Sequence, residues 1–143
     1  MRKPRQRTSR KSPTVAPPRI LVAWSELIDK ITILEIKSER ILDAAAVANV
    51  RKELALLRKV AAPVLSDGDE ILDLLRQLRA INERLWDIEN SIRGKEAIGE
   101  FDRDFIELAR AVYKSNDERG AKKREIDRKL VCGLTEEKSY ENY

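Results

Sequence analysis

A chain of 143 residues suits one compact domain with a modest core, and the absence of any histidine removes the commonest general base and the commonest metal ligand together. The single cysteine, Cys132, excludes an internal disulfide framework and a cysteine-cluster zinc site, and it fits a reduced, cytoplasmic setting. None of the five glycines builds a GxGxxG or GxxxxGKS phosphate cradle, and the apolar run Ile20 to Trp24 is too short for a signal sequence or a membrane span.

The net charge of +4 conceals two unlike parts. Residues 1–19 carry Arg2, Lys3, Arg5, Arg7, Arg10, Lys11 and Arg19 with no acid, so the remainder holds 22 of the 29 basic residues against all 25 acidic ones. Pro4, Pro13, Pro17 and Pro18 oppose regular structure there, and a disordered basic tail is expected. Such a tail can touch nucleic acid or an anionic membrane through weak, nonspecific charge, or can simply be solvated. No aromatic side chain is interleaved for base stacking.

Beyond the tail, residues 20–143 read as one helical domain. Ser25 is a suitable N-cap for a first helix to about Leu42, with Leu27, Ile31, Leu34, Ile41 and Leu42 on one face. Ile33 and Ile36 lie on a second face, which places this helix centrally. A second helix spans about Ala44 to Ala62, carries Val47, Val50, Leu54, Leu57 and Ala61 at helical spacing, and is expected to end at Pro63. Ser66-Asp67-Gly68 makes a turn and supplies caps. A third helix follows from Asp69 to Ile98, with Ile71, Leu75, Leu78, Leu85 and Ile92 as its stripe. After Gly99, Asp102 caps a fourth helix reaching about Val131, striped by Phe105, Ala109, Val112, Ile126 and Leu130. Gly120 and Ser115-Asn116-Asp117 are places where it can break. No strand pattern competes.

The predicted architecture is all-α: an antiparallel four-helix bundle with a long hairpin of helices three and four. Those two helices, at about 30 residues each, span roughly 45 Å against roughly 27 Å for the first two. Apolar residues near the connection (Ile88, Ile92, Ile98, Phe101 and Phe105) are thus left without cover. A second copy of the chain is the economical cover, and a homodimer is expected, the alternative being that the tail or the C-terminal segment folds over this end.

Several blocks carry a resemblance. Glu26-Leu27-Ile28-Asp29-Lys30-Ile31-Thr32-Ile33-Leu34-Glu35-Ile36-Lys37, Asn49-Val50-Arg51-Lys52-Glu53-Leu54, Ile81-Asn82-Glu83-Arg84-Leu85-Trp86-Asp87-Ile88-Glu89, Tyr113-Lys114-Ser115-Asn116-Asp117 and Glu136-Glu137-Lys138-Ser139-Tyr140 are similar to the signature blocks of a family of small bacterial proteins of unknown function. The resemblance covers nearly all of residues 24–143 and leaves out the tail. It implies a cytoplasmic bacterial protein and brings no activity, ligand or catalytic residue with it.

Folding the third helix back on the fourth about Gly99 sets Asn82 level with Arg119 and Leu85 level with Asn116. The first helix then brings Glu35 to a similar height on its apolar face. A buried polar layer of Glu35, Asn82, Asn116 and Arg119 is expected, with Tyr113, Trp86 and Lys123 at its margin and Arg119 neutralising Glu35. Such a layer fixes helix register, as one Asn does in a coiled coil. Alternatively it is a ligand site, in which Arg119 and Lys123 hold an anionic group.

The favoured reading is a non-catalytic helical module that assembles or binds a protein partner, with no cofactor and no metal. Two enzyme classes stand beside it. Leu27-Ile28-Asp29 through Glu39-Arg40 is similar in rhythm to the first helix of all-helical chorismate mutases, although their helix-one arginine has no clear counterpart. All-helical nucleotide pyrophosphatases hold Mg²⁺ between carboxylates, and Glu35–Glu39 and Glu83–Asp87 are co-facial pairs, but the paired-acid motif of that family is missing.

Overall fold

The computed structural model describes residues 14–66, 68–131 and 137–143. Among them four helices and no strand occur: α1 (Trp24–Arg40), α2 (Ala44–Leu65), α3 (Asp69–Ala97) and α4 (Arg103–Lys129). Most of the expected basic tail, residues 1–13, lies outside the described residues, as do Asp67 and residues 132–136 with Gly133 and Leu134. Residues 14–20 carry no helix and are exposed. No described helix is long and apolar enough to cross a membrane.

Helix α1 occupies the centre, as its two apolar faces require. Leu27, Ile31 and Leu34 pack on Leu54 and Ala61 of α2. Ile28, on the other side, joins Ile71, Leu74 and Leu78 of α3 and Ile126 of α4. Ile28, Leu78 and Ile126 are fully buried, so this second cluster is where three helices meet. Leu42 does not extend the first face: Ile41 turns extended after Arg40, and Leu42 is 98% exposed.

Several boundaries differ from those the local sequence suggests. Ser25 is not the N-cap of α1; Ala23 takes that position without a side-chain cap, and Ser25 is buried in the first turn. Pro63 lies inside α2 rather than ending it. A proline this close to the C-terminus deletes one backbone hydrogen bond, and Ser66 closes the end by donating its N–H to Ala62 at 3.1 Å and its hydroxyl to the same carbonyl at 2.9 Å. Helix α2 leans chiefly on α1, which leaves Leu56 and Val60 exposed. Gly68 supplies a backbone at φ 134° before α3, where no side-chain cap is present.

Helix α4 is continuous through Ser115, Asn116, Asp117 and Gly120. The intrinsic cost of these residues in a helix is a few tenths to about 1 kcal/mol each, and packing on both sides outweighs it. Ser115 is buried and accepts a hydrogen bond from Arg84 Nε at 3.2 Å, so its polarity is used within the fold. Asp102 caps α4 as expected, accepting from Phe105 N–H at 3.0 Å, and Gly99 takes the left-handed conformation at φ 68° that ends α3. Lys95 spans this turn with bonds to Glu100 at 2.9 Å and Asp102 at 2.8 Å. The most extensive packing in the molecule is between α3 and α4.

The residues near that turn divide. Ile88 is buried, and Ile92 and Phe105 are half-buried. Ile98 and Phe101, with Ile106 beside them, remain 67%, 58% and 54% exposed. Phe101 meets Phe105 edge to face at 5.1 Å.

Candidate functional site

A polar layer crosses the bundle where α1, α3 and α4 meet, and its centre is Asp29 rather than Glu35. Ser25, Asp29 and Thr32 recur at steps of four and three along α1, so they share one stripe, and all are buried. Arg119 of α4 binds the Asp29 carboxylate with both faces of its fork: Nε donates to Oδ1 at 3.0 Å and Nη2 to Oδ2. Asn82 of α3 donates from Nδ2 to Asp29 Oδ1 at 2.8 Å and to Thr32 Oγ1 at 2.9 Å. Asn116 joins through its oxygen, which accepts from Arg119 Nη1 at 3.4 Å. The layer thus compensates a buried carboxylate with a bidentate guanidinium and a neutral amide.

Two further buried ties flank it. Asp127 of α4 accepts from the Ser25 N–H at 3.0 Å and from its hydroxyl at 2.7 Å, supplying from another helix the cap that α1 lacks locally. Lys123, 4% exposed, donates to Glu26 at 2.6 Å.

The pairing of Glu35 with Arg119 is corrected. Glu35 faces α2 and α3, where its two oxygens accept from Arg58 Nη2 at 2.6 Å and Arg79 Nη1 at 3.1 Å. Arg79 also binds Glu39 at 2.6 Å and Glu83 at 3.2 Å. The hydrogen bond that Arg79 donates to Glu39, aided by those it donates to Glu83 and Glu35, holds the guanidinium above its ordinary pKa. Residue counting gives the height of Glu35 along the bundle, but the turn of α1 sets it on the side where Arg58 and Arg79 are its cations.

Of the expected layer, the structure brings Asn82, Asn116 and Arg119 together, and Lys123 lies one turn along. Tyr113 is 42% exposed and packs edge-on against Tyr143 at 5.1 Å, outside the layer. Asp29, Thr32 and Asp127 belong to the layer without being expected there, and Ser25 joins it rather than capping α1; the steps Ser25–Asp29–Thr32 put three polar residues on one stripe of α1.

An open groove of about 520 Å³ lies beside the layer. Ile33, Ile36 and Leu85 form its apolar wall with Trp86; Asn82, Asn116 and Arg119 border it on the layer side, and Asn90 and Arg93 lie farther along α3. A second hollow, of about 680 Å³, lies between α4 and the C-terminal segment. There Tyr143 donates its hydroxyl to Asp117 at 2.6 Å and Lys138 donates to the Asn116 carbonyl at 3.1 Å. Tyr140 is 78% exposed; Tyr143 and Lys138 make the contact.

Chemically the layer is a set of opposed charges. Arg119 binds Asp29 and Lys123 binds Glu26, so neither cation lies beside the groove as a bare anion clamp of the chorismate mutase kind. Glu35, Glu39 and Glu83 converge on Arg79, and Asp87 binds Arg40, which gives those carboxylates arginine partners where a pyrophosphatase-like site would use Mg²⁺. Among the described residues no cluster of three or more Cys, Asp or Glu has metal-site geometry.

No curated protein and no solved structure matches the chain. A family model does match it, over residues 19–143, the span that begins where the basic tail ends. The chain therefore belongs to DUF6165, a family of unknown function.

Proposed function

We propose that this protein is a non-catalytic helical module that assembles into a symmetric homodimer through the tip of the α3–α4 hairpin. The observation that carries the reading is the apolar end formed by Ile98, Phe101 and Ile106, each more than half exposed around a turn braced by Lys95. A self-complementary patch of this kind is what a twofold interface uses, because each copy presents the same surface to the other. The ties of Lys95 to Asp102 beside the turn and of Arg84 to Glu118 farther from it support α3 and α4 running antiparallel. Those of Asp29 to Arg119 and Ser25 to Asp127 support the same relation between α1 and α4.

The polar layer serves as the register device of this bundle. A buried Asp29 carboxylate that accepts from Arg119 and Asn82 penalises any sliding of α1 against α3 and α4. In this reading the protein works in the bacterial cytoplasm, and its basic N-terminal residues add a weak, salt-sensitive contact to nucleic acid or anionic membrane. Sedimentation equilibrium tests the assembly. The parent chain is expected to be dimeric at micromolar concentration and Phe101→Glu monomeric with its helices intact, whereas a monomeric parent contradicts the reading.

A further inference from the structure

The groove beside the polar layer holds two amides whose orientations are fixed by charged neighbours. Asn82 is 6% exposed and borders the groove. Its Nδ2 donates to the Asp29 carboxylate and to Thr32, so its oxygen is the side of the amide left over, and no described residue donates to that oxygen. A buried carbonyl without a donor costs roughly 1–3 kcal/mol, which a ligand N–H removes. Asn116 is set the opposite way: its oxygen accepts from Arg119, which leaves its NH₂ to donate. Flipping Asn82 sets an oxygen against a carboxylate, and flipping Asn116 sets NH₂ against a guanidinium, so both patterns are locked.

The groove thus offers one fixed acceptor and one fixed donor, joined through Arg119 and Asp29. The matching ligand edge is an N–H beside a C=O. The half-buried Trp86 ring with Leu85 and Ile33 gives a planar ligand an apolar wall. At the outer end Arg93 is 79% exposed on its side chain and among the described residues pairs with Glu89, which also lines the groove, at 3.3 Å. An exposed pair of that kind contributes little, so its guanidinium exchanges readily to an anionic group. The volume of about 520 Å³ is that of a small-molecule site.

We propose that this groove binds a planar lactam- or imide-bearing heterocycle with an anionic substituent, the chemistry of a uridine or guanosine monophosphate. The ring N–H goes to Asn82 Oδ1, a ring carbonyl accepts from Asn116 Nδ2, and the phosphate meets Arg93. Ile98, Phe101 and Ile106 do not line this groove, so its ligand test does not depend on the assembly proposed above.

The test is titration of uridine monophosphate into the full chain, read by the Trp86 indole N–H resonance and by calorimetry. A saturable shift of that resonance is expected. The N3-methylated nucleotide, which lacks the donor, and the Asn116→Leu and Arg93→Ala variants should each bind about tenfold more weakly, the scale of one lost interaction. The melting temperature of each variant checks that its fold is intact. Absence of a saturable shift at millimolar nucleotide overturns the proposal. So does equal binding of the methylated nucleotide, or unaltered affinity in both variants.

Discussion

Arg119 and Asp29, ninety residues apart, form a two-point ion pair in which the Asp29 side chain is 4% exposed and the Arg119 side chain 29%. The asymmetry decides what mutation does. Removing Arg119 strands a charge that has no access to water, whereas removing both partners leaves a gap that apolar atoms can fill.

Arg119→Leu is therefore expected to destabilise the fold by about 3 kcal/mol, with Asn82 retaining part of the compensation for Asp29. Asp29→Leu combined with Arg119→Leu should recover much of that loss. Urea unfolding at neutral pH measures both, and equal destabilisation of the single and double variants would refute the pairing.

The Ser25–Asp127 tie predicts a second coupling. Asp127 is 2% exposed and satisfies two donors of Ser25. Asp127→Ala should cost roughly 1–3 kcal/mol, because a backbone N–H at the start of α1 is left buried without an acceptor. Ser25→Ala removes only the hydroxyl and should cost about 1 kcal/mol. A double-mutant cycle that shows no coupling between these positions contradicts the assigned contact.

These two ties also mark where the sequence stops being legible. The four helices, the Asp102 cap and the central place of α1 follow from apolar spacing and cap chemistry, which are local. Ser25 reads locally as its own helix's cap, yet its partner arrives from α4, 102 residues away. Pro63 reads as a stop, but a helix end can absorb one missing hydrogen bond. For Glu35, height along the bundle was recoverable from residue counting and azimuth was not. Its side faces Arg58 and Arg79, whereas Asp29, one face over, receives Arg119. Asn82, Asn116 and Arg119 were legible because each interrupts an apolar stripe.

Gly120 gives a third expectation, in the stabilising direction. It sits inside α4, and an added Cβ meets the ammonium end of Lys138 at 3.0 Å, a flexible group that can move aside. Gly120→Ala should gain about 0.5–1 kcal/mol from the reduced backbone freedom of the unfolded chain. It should also displace Lys138 from the Asn116 carbonyl, to which it donates at 3.1 Å. A higher melting temperature with faster amide exchange in residues 137–143 is the expected pair of readouts. A lower melting temperature would show that the Lys138 contact contributes more than the helix gains.

The C-terminal contact should be sensitive to alkaline pH. The hydrogen bond to the Asp117 carboxylate raises the Tyr143 phenol above its ordinary pKa, since the neutral hydroxyl is the donor. A group raised on folding contributes stability that is complete below the unfolded value, about 10 for tyrosine, and lost as pH rises through the folded value. Residues 137–143 should thus release from α4 in the alkaline range, and Asp117→Asn should lower the Tyr143 titration midpoint. Selective tyrosine labelling with NMR titration follows it; an unchanged midpoint in that variant contradicts the contact.

The proposed assembly surface is tested most directly by isotope-filtered NMR on an equal mixture of labelled and unlabelled chain. Intermolecular cross-peaks are predicted among Ile98, Phe101 and Ile106, exposed apolar residues around the turn between α3 and α4. A dimer whose intermolecular cross-peaks lie elsewhere, or a mixture that shows none at concentrations where the chain is folded, would contradict the account.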